Sequence, residues 1–267
     1  MRVVRTVADL RRTLEPDEPG RVVGLVPTMG AYHEGHLSLF RAARAECGLV
    51  VASLFVNPAQ FGPGDDPEAY PRNEAADLER TAAAGVDVLF APSVDELYPP
   101  GFQTWVEVEE LSRPLEGEHR PGHFRGVATI CLKLFNLVHP QLAYFGLKDA
   151  QQAAVVLQLV RDLNLELRVR LLPTVRDADG LALSSRNVFL SQQERTLALA
   201  LPRALAAGAA ADREGSDPVA AARAALNGLA PDYLATLDVD GRRVLAGAVR
   251  IGKTRLIDNV LLEGDLA

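Results

Sequence analysis

Short apolar runs alternate with helical periods through the first two-thirds of the chain. Residues 22–26 are apolar and close on Pro27-Thr28-Met29-Gly30. Such runs, rich in β-branched residues and ended by turn residues, suit buried parallel strands. Residues 37–45 then carry a helical period, and 49–56 form a second strand-like run. The pattern repeats with a helix over 74–84 and a strand over 86–90. It repeats again with a strand over 142–145, a helix over about 150–163 and a strand over 165–172. Strand–helix alternation of this kind predicts an α/β fold with a parallel sheet and helices on both faces.

The pattern changes near Val175. Arg176-Asp177-Ala178-Asp179-Gly180 is polar and turn-rich. Beyond Arg186 the chain becomes alanine-rich and helical, with Ser191 as N-cap and Glu194 at capping-box spacing. Ser216-Asp217-Pro218 opens a further helix. Residues 233–239, 243–251 and 255–260 read as short strands. The expected organisation is a domain over 1–175 and a smaller C-terminal α+β domain over 176–267.

Composition narrows the function. Hydrophobic residues make up 48% and charged residues 24%, the balance of a soluble globular protein. The formal net charge of -7 disfavours nonspecific attraction to nucleic acid or to an anionic membrane. The two cysteines, Cys47 and Cys131, form no CxxC pair and fall in apolar stretches, so buried free thiols are expected. The first residues lack the apolar run of a signal peptide, and residues 197–211 are too short to span a membrane. A cytoplasmic protein is the expectation.

Several segments carry candidate chemistry. Residues 27–36, Pro-Thr-Met-Gly-Ala-Tyr-His-Glu-Gly-His, follow the first strand and open the first helix. A helix start at the carboxyl end of a parallel strand presents N–H groups and a positive dipole end to a phosphate. His33 and His36, three apart, lie on one face and can reach one phosphate. The zinc-protease pattern needs histidines four apart and is rejected. Simple polar caps remain the alternative reading of the pair. Gly146-Leu147-Lys148-Asp149-Ala150-Gln151-Gln152 also joins a strand to a helix, where lysine and aspartate suit an anion and a sugar hydroxyl. Leu183-Ser184-Ser185-Arg186-Asn187 offers two hydroxyls and a guanidinium as a phosphate clamp, or is an ordinary polar turn. Asn57-Pro58-Ala59-Gln60-Phe61 places amides after the second strand, as a small polar substrate requires. Gly122-His123-Phe124-Arg125-Gly126 adds an arginine, with His123 read as a surface-loop residue.

Together these segments resemble the pantothenate synthetase (pantoate–β-alanine ligase) family. The resemblance rests on residues 26–36, 55–61, Tyr70-Pro71-Arg72, Arg120 to Gly126, 180–187 and Arg255-Leu256-Ile257-Asp258-Asn259, and so covers nearly the whole chain. It implies a Rossmann-like nucleotidylyltransferase domain. It implies an ATP site lined by Met29, Gly30, Ala31, Tyr32, His33, Glu34, Gly35 and His36, completed by Gly146, Leu147, Lys148, Asp149, Val175, Leu183, Ser184, Ser185 and Arg186. His36, His33, Lys148 and Arg186 are the implied catalytic groups. Gln60 and Gln152 would hold pantoate, with Asn57 and Arg125 nearby. A need for Mg²⁺ and a homodimer are also implied. Two departures stand out: Leu147 replaces a common glutamate, and the segment after Tyr70-Pro71-Arg72 is less acidic. Asp77 is a candidate stand-in for a carboxylate linked to Mg²⁺, and the sequence assigns no metal ligand.

The implied reaction begins with attack of the pantoate carboxylate on the α-phosphate of ATP and loss of pyrophosphate. The amine of β-alanine then displaces AMP. Because an acyl-adenylate hydrolyses in water, closure of the smaller domain is expected. Two rivals share part of this equipment: a nucleotidylyltransferase that stops after one transfer, and a non-catalytic nucleotide-binding regulator. The first does not need the Asn57/Gln60 pair. The second does not need both histidines together with Lys148 and Arg186.

Overall fold

The computed structural model describes residues 1–15, 20–62, 68 and 70–263. Contacts divide the chain into two compact units, Met1–Phe145 with Val155–Leu172, and Gly146–Ala154 with Pro173–Ala267.

The first unit is built on a six-stranded sheet. Its strands are β1 (Arg2–Val4), β2 (Val23–Thr28), β3 (Leu49–Leu54), β4 (Val88–Phe90), β5 (Leu142–Gly146) and β6 (Arg168–Leu172), in the spatial order β1-β4-β3-β2-β5-β6. Every pair from β1 to β5 runs parallel. The α/β class and the parallel sheet are as the apolar runs predict. Chain order reverses at β2, whose neighbours are β3 and β5. In open parallel sheets ligands bind outside the carboxyl ends of the strands at such a point. Thr28 pairs with Leu54, the last residues of β2 and β3, so the loops leaving both strands start at the same level.

The Glu34–Glu46 helix follows β2 and buries Leu39, Phe40 and Ala43. They join Val26, Val50, Ala52 and Leu89 of the sheet in one apolar cluster. Elements beyond those expected include β1, the Val7–Leu14 helix capped by Thr6, and the His123–Val138 helix. Cys47 and Cys131 are buried free thiols, and burial pushes Cys131 up to about 12, so its thiol stays protonated and inert.

The second unit contains a three-stranded antiparallel sheet of β7 (Pro231–Val239), β8 (Arg242–Ile251) and β9 (Thr254–Leu261), in that order. Ser191 and Glu194 form the expected capping box at the start of the Gln192–Ala198 helix. The Ala200–Arg213 helix buries Leu201, Ala204 and Leu205 against Leu245, Val249 and Ile251. Small residues let this helix approach the Pro218–Ala225 helix. A Cβ on Gly208 would stand 2.6 Å from the Pro218 carbonyl oxygen and 3.2 Å from the Ala222 methyl.

Two effects oppose each other at Gly208. Alanine gains about 1 kcal/mol of helix propensity, whereas overpacking against a backbone oxygen costs about 1–3 kcal/mol. The oxygen belongs to a packed helix and cannot swing away as a side chain would. Gly208→Ala is therefore expected to lower stability in urea denaturation with an unchanged m-value. A rise in stability would show that the helix pair has room for the methyl.

Candidate functional site

The loop after β2 is held by a buried carboxylate. Asp77, 2% exposed on the Glu74–Ala83 helix, accepts the Ala31 N–H at Oδ2 (2.8 Å) and the Tyr32 N–H at Oδ1 (2.9 Å). One turn along the same helix, the Arg80 guanidinium donates to the Tyr32 carbonyl. Such a turn needs unusual backbone angles: φ is +90° at Gly30 and +53° at Ala31. A Cβ at Gly30 would stand 2.9 Å from Asp77 Oδ2, so glycine is required there twice over. Tyr32 is 1% exposed, and its hydroxyl bonds Thr28 Oγ1 at 2.9 Å. Burial raises its phenol pKa well above the usual value, and Asp77 adds to the rise.

His33 is the N-cap of the Glu34–Glu46 helix, and the two histidines form a capping box. His33 Nδ1 accepts the Gly35 N–H at 3.2 Å, and His36 Nδ1 accepts the His33 N–H at 3.3 Å. A Cβ on Gly35 would stand 2.9 Å from the His33 ring, so the glycine between the histidines lets that ring fold back. The ring centroids are 4.2 Å apart. The capping alternative is thus realised, and it has a chemical consequence. A neutral imidazole whose Nδ1 accepts carries its proton on Nε2, so both rings are set as Nε2–H donors. The N–H groups of Ala31, Tyr32 and Gly35 at this helix start are taken by Asp77 and His33. Glu34 is exposed and ion-paired to Arg41, and Met29 is half-buried.

The loop after β3 is fixed from the His123–Val138 helix. Asn57 Nδ2 donates to the Gly126 carbonyl (3.0 Å), and Asn57 Oδ1 caps the short Pro58–Gln60 turn by accepting the Ala59 N–H (3.2 Å). His123 corrects the surface-loop reading: it is 6% exposed and begins the helix. Its Nε2 lies 3.0 Å from Arg120 Nη1 and its Nδ1 lies 3.0 Å from the Gln60 carbonyl oxygen. Arginine can only donate, so Nε2 accepts and Nδ1–H donates to Gln60. A Cβ on Gly126 would run into the Ala59 carbonyl. The Gly122 to Gly126 segment therefore acts on the Asn57–Gln60 loop. Arg125 is exposed, with its guanidinium carbon 5.1 Å from the Trp105 ring centroid.

The remaining expected residues belong to the second unit. Leu183 N–H donates to the Val175 carbonyl (3.0 Å), closing a hairpin that turns at Gly180, where φ is +93°. Arg195 clamps the turn through Asp177 (2.6 Å) and Asp179 (2.8 Å), and this hydrogen bond holds the Asp179 carboxyl below its usual range. Ser184 Oγ accepts the Arg186 N–H (3.2 Å) and caps the Ser185–Phe189 turn, which leaves Arg186 exposed. Lys148, Ser184, Arg186, Asn187, Arg255 and Asp258 line one small, open pocket. Ser185, Asp149 and Gln152 are half-buried. Open space lies where a Cβ on Gly146 would point. Leu147 is 3% exposed, so its side chain, in place of a common glutamate, is packed away.

No cluster of three or more His, Cys, Asp or Glu among the described residues is arranged to hold a metal ion. Asp77 does not fit as a Mg²⁺ ligand, since both its oxygens face backbone N–H groups in a buried setting. Among the described residues no helix is long and apolar enough to cross a membrane.

Fold and site define a class: an α/β protein whose parallel sheet presents a His-x-Gly-His helix start at the carboxyl end of its central strand. Comparison with known proteins makes the class specific. The family model described as pantoate-beta-alanine ligase matches residues 2–261. A pantothenate synthetase from Moorella thermoacetica is 49% identical, over 98% of this chain and 99% of its own length. One from Roseiflexus castenholzii is 50% identical, over 98% and 100%. The crystal structure of pantothenate synthetase from Thermus thermophilus superimposes with a TM-score of 0.91 at 47% identity, covering 99% of this chain and 100% of that one. Pantoate-beta-alanine ligase from Francisella tularensis, complexed with beta-gamma ATP and beta-alanine, gives a TM-score of 0.84 at 35% identity, with 100% of both chains covered. The chain belongs to the pantoate–β-alanine ligase family.

Asp77 is the residue on which the histidine loop rests. Asp77→Asn keeps the shape but has one acceptor oxygen for two N–H groups, so one donor is left facing an amide NH₂. A buried donor without its acceptor costs about 1–3 kcal/mol. Native-state hydrogen exchange at the Ala31 and Tyr32 amides is expected to be faster in the variant. Unchanged protection of both amides would contradict the clamp.

Proposed function

We propose that the protein joins pantoate to β-alanine at the expense of ATP through a pantoyl-adenylate. A carboxylate does not react with an amine near neutral pH, because its leaving group would be oxide. Adenylation replaces oxide with AMP. In the first step a pantoate oxygen bonds the α-phosphorus while the bond to the bridging oxygen of the β-phosphate breaks and pyrophosphate leaves. In the second the amine nitrogen of β-alanine bonds the acyl carbon, the acyl–oxygen bond breaks and AMP departs. The proton shed by the amine passes to solvent or buffer.

One observation carries the reading. Two imidazoles, each with Nδ1 accepting a backbone N–H, are set as Nε2–H donors at the start of the helix that follows β2. Donors fixed before the reaction interact most strongly with charge that develops during it. His36 and His33 are assigned to the phosphates of ATP, where negative charge grows as pyrophosphate departs. The loop from Met29 to His36 lines the nucleotide. Gln60, whose loop starts level with the histidine loop, is assigned to pantoate, with Asn57 keeping that loop in place. In the second unit, Lys148 and Arg186 are assigned to phosphate charge, supported by the pocket they share with Ser184. Ser185, Gly146, Leu147, Asp149, Val175 and Leu183 are assigned to the nucleotide, and Gln152 to pantoate. Arg125, whose guanidinium lies over the Trp105 ring, is assigned to the neighbourhood of pantoate. Mg²⁺ would enter with ATP, on the phosphates, as this ion usually does. The division of labour proposed is nucleotide and pantoate binding in residues 1–175 and a lid role for 176–267. A homodimer belongs to the proposal on the family resemblance alone, and a cytoplasmic location on the sequence pattern.

The test is exchange of labelled pyrophosphate into ATP. With pantoate present and β-alanine absent, exchange is expected, because the first step needs no amine. An exchange that strictly requires β-alanine would rule out a separate adenylate. In the same assay His36→Ala is expected to slow exchange by roughly 10²–10³-fold, the loss of about 2.7–4 kcal/mol typical for one such donor. A near-normal rate in the folded variant would leave His36 as a helix cap.

A further inference from the structure

β9 carries Arg255-Leu256-Ile257-Asp258-Asn259, a segment with no task in the chemistry above. Asn259 is 3% exposed. Its Nδ2 stands 2.8 Å from the Leu147 carbonyl oxygen and 2.8 Å from that of Lys148. An amide NH₂ has two protons, and here both go to consecutive carbonyls of one loop. Asp258, also 3% exposed, forms a two-pronged ion pair with Arg176 at 2.7 and 2.9 Å. Arg176 donates in addition to the Asn259 carbonyl (3.1 Å), and Asp258 Oδ1 accepts the Asn259 N–H (2.8 Å). One strand segment thus grips the loop that carries Lys148 and the root of the hairpin that runs from Val175 to Leu183.

Residues 147 and 148 lie between β5 and the Ala150–Asp162 helix. Carbonyls in such a loop have no ladder to join, and buried ones require a donor from elsewhere. Fixing two successive carbonyls fixes the two peptide planes that flank the Lys148 Cα. It thereby fixes the direction in which the Lys148 side chain leaves the backbone, toward the pocket it shares with Ser184, Arg186 and Asp258. The side chain of lysine has four rotatable bonds and little preference of its own, so its aim depends on where its Cα is held.

We propose that Asn259 is a positioning residue for Lys148: by holding the Leu147 and Lys148 carbonyls it sets the ammonium where ATP phosphate charge must be met. This rests on the assignment of Lys148 to phosphate. The role is distinct from stabilising β9, whose own ladder to β8 runs from Leu261 to Thr254 without the side chain of Asn259.

A double-mutant cycle read by pyrophosphate exchange tests it. Asn259→Ala is expected to slow exchange about 10- to 100-fold, as small misplacements of a reacting group do. Asn259→Asp sets a carboxylate oxygen against two carbonyl oxygens and is expected to be slower still. In a Lys148→Ala background, Asn259→Ala is expected to change the rate by less than about twofold, because the group it aims is gone. The same loss factor in both backgrounds would overturn the positioning role and leave a structural one. An exchange rate untouched by Lys148→Ala would instead overturn the assignment of Lys148, and this inference with it. If Asn259→Ala does not fold, Asn259→Ser, with a single shorter donor, runs through the same cycle with the same two criteria.

Discussion

The carboxylate of Asp77 is a charge inside the first unit, and a buried charge must be answered by hydrogen bonds or by a counter-ion. Two backbone N–H groups answer it, from Ala31 and Tyr32. That pairing dictates much of what surrounds it. It requires the chain to turn sharply after β2, with left-handed angles at Gly30 and Ala31. It brings Tyr32 inward, where its ring meets Phe40 edge-on at 5.2 Å. It delivers His33 to the chain position from which it caps the following helix. The tautomers of both histidines follow from that cap, and so does the direction of their N–H donors.

The same arrangement recurs at the other loops of interest. In each, a polar side chain from a regular element holds loop backbone, and the loop's own side chains are left for chemistry. Asp77 and Arg80 hold the histidine loop from a helix. His123 holds the Gln60 carbonyl from another helix, with Asn57 tying its own loop to Gly126. Asn259 holds the Leu147 and Lys148 carbonyls from β9. Regular elements lose little freedom when they form such bonds, since their backbones are already ordered. Sites supported in this way keep reacting groups within the narrow tolerances that charge stabilisation demands.

The parallel strands after β1 were legible because each is a short apolar run stopped by turn residues, as at Pro27 to Gly30. The capping box of Ser191 and Glu194 was legible because both partners are side chains at a fixed spacing. The His123–Val138 helix was not. Its N-cap, Gly122, offers no side-chain cap to betray the start. The roles of Asp77, His123 and Asn259 were hidden for a different reason. Their partners are backbone groups 45 to 112 residues away, which leave no mark on residue type. Only the spacing of Asp77 and Arg80, three apart on a helix, hinted that both face one target.

The central claim is that the pantoate carboxylate attacks the α-phosphorus of ATP. Oxygen-18 in that carboxylate tests it most directly. If the adenylate forms, the bridging oxygen comes from pantoate and leaves with AMP. Fully labelled pantoate should then give one labelled oxygen in each AMP, by mass spectrometry, and none in pyrophosphate. AMP free of label, or label appearing in inorganic phosphate or pyrophosphate, would contradict the account.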